Sequence, residues 1–344
     1  MYLSVRGFAR NPLTPKPLGT STGKHLYRKI AMIHPPTRAA SRPRYDADVS
    51  PSTITPAANY LGRRRLLMAT GLGAAASWMP AAAVAATNAM IAAASKSRFS
   101  VMESATPMEI ATTKTRFREL EPDIAKNGLA FETRPWKVQI EGECLKPRTF
   151  DMDDLLTLAP IKERIYRMLC TEGFLHVVPY AGYPLSELLK RVEPTGNAKY
   201  IEFTSVHNPA QLSGQREVND IPWPCVEALR LDEALHPLTL VALGAYGQLL
   251  PKGLGAPMAV RVPWKFGTKS PKAIVKIRLT ERQSAIVWNS RYPRYHTFWG
   301  NINPVGATNF WGRGQRERKA GELQTRATPL YNGYAEHVAC FIRA

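Results

Sequence analysis

Cysteine is scarce, with four among 344 residues: Cys144, Cys170, Cys225 and Cys340. No CxxC or CxxxH pair occurs, which argues against a structural zinc site. A Cys144–Cys225 or Cys225–Cys340 disulfide stays open for an oxidising compartment. No GxGxxG or GxxxxGK[ST] cradle follows a strand, so dinucleotide and P-loop chemistry are disfavoured. Internal repeats are also missing. Acidic residues are few, 27 against 46 Lys and Arg, for a net charge of +19. No Lys/Arg cluster interleaves with aromatics in a recognised module, so no nucleic-acid partner is expected.

The charge is uneven. Residues 1–86 hold 12 basic and 2 acidic residues, leaving 34 and 25 for the remainder. A remainder at +9 suits work near an anionic membrane surface or against an acidic partner. The apolar stretch 69–86 is too short and weakly hydrophobic to span a bilayer comfortably. It follows Arg63-Arg64-Arg65-Leu66-Leu67 and ends in Ala83-Val84-Ala85-Ala86, a small-x-small cleavage pattern. Together these resemble a twin-arginine signal, the address of proteins exported already folded, typically with a cofactor installed. The expected organisation is an extension over 1–62 with the true start at Met32, a signal peptide over 63–86, an arm over 87–130, and one domain over 131–344. The expected location is the periplasm, reached through the twin-arginine export machinery.

The arm has one candidate helical turn, Phe117–Ile124. Trp136, Val138 and Ile140 alternate with polar residues and predict a half-buried strand closed by Gly142. Asp151 or Asp153 caps a short helix through Leu155, Leu156 and Leu158. Ile165, Tyr166 and Met168 lead a strand to Cys170; a second run, Val177–Tyr180, turns at Gly182. Pro184 opens a helix bearing Leu185, Leu188, Leu189 and Val192, ended by Glu193-Pro194. Strands follow at Tyr200–Val206, residues 238–243 (apolar on both faces), Met258–Val262 and Ala273–Leu279. Short helices and many strands predict an α+β fold with a mixed sheet core rather than a doubly wound one.

Three stretches carry unusual chemistry. Cys170, with Glu172 two residues on, sits where a strand opens into a loop, and can be a nucleophile, a redox group, a metal ligand or a small buried hydrophobe. Ser205 lies near the end of the Tyr200 strand and is followed by His207. Residues 262–272, broken by Pro and Gly, carry Lys265, Lys269 and Lys272. This loop suits a phosphate or another anion, or is a solvated basic loop. Trp264 reads as core packing.

The blocks ERIYRMLC, NAKYIEF, LRLDEALHPLTL, GAP followed by VPWKFGTKSPKAIVKI, and LYNGYAEHVA resemble the catalytic subunits of periplasmic protein-methionine-sulfoxide reductases. These are molybdopterin enzymes of the sulfite-oxidase fold, and the resemblance runs from about residue 100 to 342. It implies a molybdopterin-binding oxidoreductase domain over 131–344 with one molybdenum per chain and Cys170 as its protein ligand. Glu172 would be a proton source or hydrogen-bond partner at the metal. Ser205 stands where the family has a cofactor-contacting threonine, and Ser270, Pro271 and Lys272 where it wraps the pterin phosphate. The implied reaction is oxygen-atom transfer from methionine sulfoxide in oxidised periplasmic proteins, a reversible oxidative lesion. Electrons would come from a membrane haem-binding, quinone-oxidising subunit.

The chain departs from the family in several places. CTEGF replaces CVEAW, with Phe174 for tryptophan, and His176 stands for a methionine. Leu254 replaces an amide. A basic residue is missing at Ala259, and Arg261, two residues on and on the same strand face, is its expected substitute in binding the cofactor. KTRFREL (Lys114–Leu120) and Trp311-Gly-Arg-Gly-Gln-Arg-Glu replace family blocks. Alternative readings are a sulfite or small S- or N-oxide oxidoreductase of the same fold, in which Arg164, Arg167 and Arg261 would converge on a dianion, or a cofactor-free envelope binding protein. Mass spectrometry of the precursor is expected to find no peptide from upstream of Met32; one such peptide overturns the later start.

Overall fold

A computed structural model describes residues 81–113, 130–217, 222–305 and 315–342. The candidate turn Phe117–Ile124, the block Lys114–Leu120 and residues 311–314 lie outside them. Among the described residues thirteen strands run in order: β1 (Ser95–Lys96), β2 (Lys137–Gly142), β3 (Arg148–Asp151), β4 (Lys162–Leu169), β5 (Phe174–Pro184), β6 (Tyr200–Ser205), β7 (Val226–Arg230), β8 (Leu240–Ala245), β9 (Gln248–Leu249), β10 (Ala259–Arg261), β11 (Ile274–Thr280), β12 (Arg316–Lys319) and β13 (Thr325–Ala327). They form two sheets.

The larger sheet follows the path β1-β4-β5-β12-β13, with β8 joining β5 to β9 and β10; the smaller is β3-β2-β11-β6-β7. The β1/β4, β5/β12 and β2/β11 pairs are parallel and the others antiparallel, so both sheets are mixed. Helices are short, and the architecture is α+β as the strand-rich pattern predicts. β2 alternates exposed and buried residues as a half-covered strand must, whereas all six residues of β8 are buried. Asp151 caps the helix Met152–Thr157: Asp154 N–H donates to its carboxylate at 2.8 Å, and the Asp154 side chain accepts from Asp151 N–H.

Gly182 does not turn the chain. β5 continues through it to Pro184, and its register against β8 shifts at Ala181/Gly182. A Cβ there would stand 1.8 Å from the Val241 carbonyl oxygen, so glycine marks a close approach of two backbones at a bulge. The helix Ala81–Ala92 crosses the expected cleavage point after Ala86. It lies against the larger sheet through buried Ile91 and through Asn88, whose Oδ1 accepts from Leu249 N–H at 2.8 Å. All four cysteines are free, so neither disulfide forms.

β4 is fastened to the carboxy-terminal segment by a buried charged group. Arg167 pairs with Glu103 and with fully buried Glu317, and Arg326 adds to both carboxylates. Arg167 Nε donates to the Asn332 carbonyl (3.1 Å), and Asn332 Nδ2 donates to the carbonyls of Arg167 and Pro263, each at 2.9 Å. Asn332 has a φ of 57°, a left-handed backbone that asparagine tolerates better than most residues. Glu317→Ala leaves the Arg167 charge short of one buried partner and should cost about 3 kcal/mol in urea denaturation. Asn332→Ala strands two carbonyls and should cost about 2–4 kcal/mol.

Candidate active site

Cys170 is the first residue past β4. Its N–H donates to the Phe174 carbonyl (2.8 Å), and Gly173 N–H donates back to the Cys170 carbonyl (2.9 Å). This leaves Thr171-Glu172-Gly173 as a three-residue hairpin loop. Gly173 takes the left-handed conformation such a loop needs, at φ 83°. The β4/β5 hairpin, paired from Lys162↔Gly182 to Leu169↔Leu175, thus holds the thiol at a rigid tip. Glu172 N–H points at Cys170 Sγ from 3.5 Å. Burial pushes the thiol up from its ordinary range. The Glu172 amide, the Thr171 hydroxyl and Lys272 oppose that rise, and the Glu172 carboxylate adds to it.

The 262–272 segment lies beside this tip. A Cβ on Gly267 would stand 3.6 Å from the Leu169 carbonyl, and Phe266 packs in a small core with Leu169, Leu175, Val177 and Ile302. Phe266 N–H donates to Gly300 (2.9 Å) and Ile302 N–H to Trp264 (3.1 Å), fixing the loop against residues 299–302. Trp264 is fully buried, as a core residue.

The lysines correct the sequence reading. Lys265 and Lys269 are neither solvated nor open to an anion. Lys265 Nζ meets Glu233 at 2.6 Å and donates to Trp299 O and Asn301 Oδ1 at 2.6 and 2.7 Å. Burial pulls it down to about 8 against the attraction of Glu233. Lys269 pairs with Glu227 and donates to Ala228 O at 2.5 Å. Buried ammonium groups require such partners. Lys272, also buried, acts on Cys170 through its charge.

Two adjoining clefts, of about 400 and 280 Å³, open here. Thr171, Phe266, Lys269, Tyr295, His296 and Asn301 are among the residues lining the larger; Ser205, Cys225, Pro271 and Lys272 line the smaller; Glu227, Thr268 and Trp288 line both. The structure therefore gathers the Cys170 tip, Ser205, Pro271 and Lys272 into one region. Ser270 is fully buried behind it, its hydroxyl accepting from Val262 N–H at 3.3 Å. Glu172 is half-buried on the hairpin loop. Arg261 lines neither cleft; its guanidinium donates to the Leu254 carbonyl and stacks on Tyr180 at 4.8 Å. His207 is exposed and stacks on Trp223.

Arg164 and Arg167 do not converge on Cys170. Arg164 donates to Tyr166 Oη (2.8 Å) and Pro237 O (2.5 Å), and Arg167 serves Glu103 and Glu317. Sequence reasoning missed Glu227. Its Oε1 takes Lys269 and the Ala228 amide, while buried Oε2 has no hydrogen-bond partner among the described residues. A glutamate inside the apolar run of β7 was the available signal.

The hairpin tip that carries Cys170, the Ser205 hydroxyl and buried Lys272 thus stand at two clefts of mixed polar and apolar lining. The family model for the oxidoreductase molybdopterin binding domain matches residues 126–288. The protein-methionine-sulfoxide reductase catalytic subunit MsrP of Burkholderia mallei is 42% identical over 86% of this chain and 93% of its own. That of Ralstonia nicotianae is 40% identical over 83% and 92%. The chain belongs to this MsrP family, with its sulfite-oxidase-like molybdopterin-binding fold. The sulfane dehydrogenase SoxCD structure from Paracoccus pantotrophus aligns at a TM-score of 0.39 and 15% identity, covering 67% of this chain and 60% of that one, too weak a likeness to argue from.

His176 and His296 are buried, and burial lowers both to about 4 from 6.5. A neutral buried imidazole stabilises the fold fully above pH about 6.5, and that contribution is lost as pH falls towards 4, where the unfolded chain binds the extra protons. Denaturant midpoints should drop across this window, and His176→Gln and His296→Gln should each flatten the drop.

Proposed function

We propose that this chain is the catalytic subunit of a molybdopterin-dependent protein-methionine-sulfoxide reductase, working in the periplasm on oxidised proteins. Membership of the MsrP family carries the reading. The residues present fit the cofactor: a thiolate is the soft ligand such a metal takes from a protein, and hydroxyl and ammonium groups suit a phosphate. Cys170 would ligate the metal; Ser205, Ser270, Pro271 and Lys272 would hold the pterin phosphate and its surroundings. Glu227 Oε2 offers an acceptor for pterin N–H groups. Arg261 would act indirectly, by fixing the Leu254 carbonyl beside the 3₁₀ turn Lys252–Leu254.

Bound there, the cofactor supplies two-electron oxygen-atom chemistry. The chain's own groups do the rest. The Glu172 amide and Lys272 favour the thiolate over the thiol. Glu172, on the same loop, would hold or deliver one of the two protons that leave with the sulfoxide oxygen as water. The aromatic residues of the larger cleft accept the thioether part of the substrate, since sulfur packs favourably on aromatic rings. Sulfite is disfavoured because Arg164, Arg167 and Arg261 are each committed elsewhere, and a dianion needs converging guanidiniums. A membrane haem-binding, quinone-oxidising subunit as electron donor, and delivery by twin-arginine export, complete the proposal; the Arg63-Arg64 leader supports the latter.

The test is metal and pterin analysis of protein produced with its export machinery. Molybdenum near one per chain, lost in Cys170→Ala, is expected, and absence from both would sink the proposal. With a reduced dye, oxidised casein should be turned over and sulfite should not be oxidised; the reverse assigns a sulfite enzyme.

A further inference from the structure

Between Glu281 and Glu317 the sequence has no carboxylate but five arginines, Arg282, Arg291, Arg294, Arg313 and Arg316. Part of this strip is one wall of the larger cleft. Trp288, Tyr295, His296 and Thr297 line it together with Thr171, the residue after Cys170. Trp288, Tyr292 and His296 pack as one aromatic cluster, with centroids 5.6–6.3 Å apart. Arg291 and Arg294 are exposed beside it, and Arg291 lies 5.5 Å over the Tyr292 ring.

The neighbouring charges leave this wall positive. Trp299, 43% exposed at its far end, carries Arg230 at 5.8 Å, and Arg230 is answered by Asp232. Glu227, inside the cleft, is answered by Lys269. Among the described residues no ion pair answers Arg291 or Arg294, and the strip has no acid of its own to do so. Exposed cations interleaved with aromatic faces, continuous with the reacting pocket, attract an extended chain bearing carboxylates: the arginines steer it, and the rings take its apolar groups.

We propose that Trp288–Trp299 is a docking surface for acidic segments of the polypeptide substrate, so that methionine sulfoxides flanked by Asp or Glu are preferred. The proposal rests on the sulfoxide-reductase reading, and it adds sequence selectivity to that site. Long-range attraction between exposed groups acts mainly on encounter. It appears in KM and in salt dependence rather than in kcat.

The experiment compares peptides in which one methionine, reduced or as sulfoxide, is flanked by glutamates, by serines or by lysines. Binding is read by fluorescence anisotropy at low and high salt, and turnover by kcat and KM, for the wild-type holoenzyme and for Arg291→Glu/Arg294→Glu. An Arg291→Gln/Arg294→Gln variant guards against a folding effect of charge reversal. The glutamate peptides should bind roughly tenfold more tightly than the lysine peptides at low salt, a preference that salt weakens. The glutamine pair should erase it and the glutamate pair invert it, with kcat on free methionine sulfoxide unchanged. Equal binding of all three peptides, or an acidic preference that survives both variants, overturns the proposal. So does a single-stranded oligothymidylate that binds as tightly as the glutamate peptide and is released by the same variants, which would assign the strip to nucleic acid. Failure of the underlying reading looks different: the glutamate peptide binds with the predicted variant dependence, but no sulfoxide is reduced.

Discussion

Everything in the proposed active site depends on one side-chain amide. Asn332 Nδ2 donates to Arg167 O on β4 and to Pro263 O at the head of the lysine-bearing loop. Those two backbones carry Cys170 and Ser270–Lys272, which have no covalent reason to lie together. Fully buried carbonyls without partners are costly, so these bonds fix the two segments at one separation. The Arg167–Glu103–Glu317–Arg326 group then clamps β4 through the same guanidinium that donates to the Asn332 carbonyl. A buried ionic group of this kind adds little net stability over apolar packing, but breaking one member is expensive. Its value here is position.

The same logic explains a basic loop that does not behave as one. Glu233 and Glu227 neutralise Lys265 and Lys269, and the two ammonium groups tie the loop to Trp299, Asn301 and Ala228. Two of three lysines thus serve architecture, and Lys272 is the one whose charge reaches the thiol. Arg164 and Arg167 follow the same pattern as strand residues whose charges are spent inside the fold. What lines the larger cleft is a mixture of hydroxyls, aromatics and the Lys269–Glu227 ion pair, a surrounding better matched to a neutral sulfoxide than to a doubly charged anion.

Much of this was legible in the sequence, for reasons particular to each element. Alternation at Trp136, Val138 and Ile140 and the unbroken apolar run before Ala245 announce one-sided and two-sided burial. The Asp151 cap was readable because its partner lies only three residues away. Gly182 misled because a glycine at a backbone crossing and one at a turn look alike without the partner strand. The lysine loop misled because its partners, Glu227 and Glu233, come from a different stretch of chain. Cys170 stood out locally, but the role proposed for it rests on the ordered family blocks around it.

The central claim is that the sulfur of Cys170 binds molybdenum. X-ray absorption at the molybdenum edge, on purified protein and on Cys170→Ser loaded in the same host, counts the sulfur neighbours directly. Three are predicted in the wild type, two from the dithiolene and one from the thiolate, falling to two in the variant. An equal sulfur count in both proteins would contradict the account.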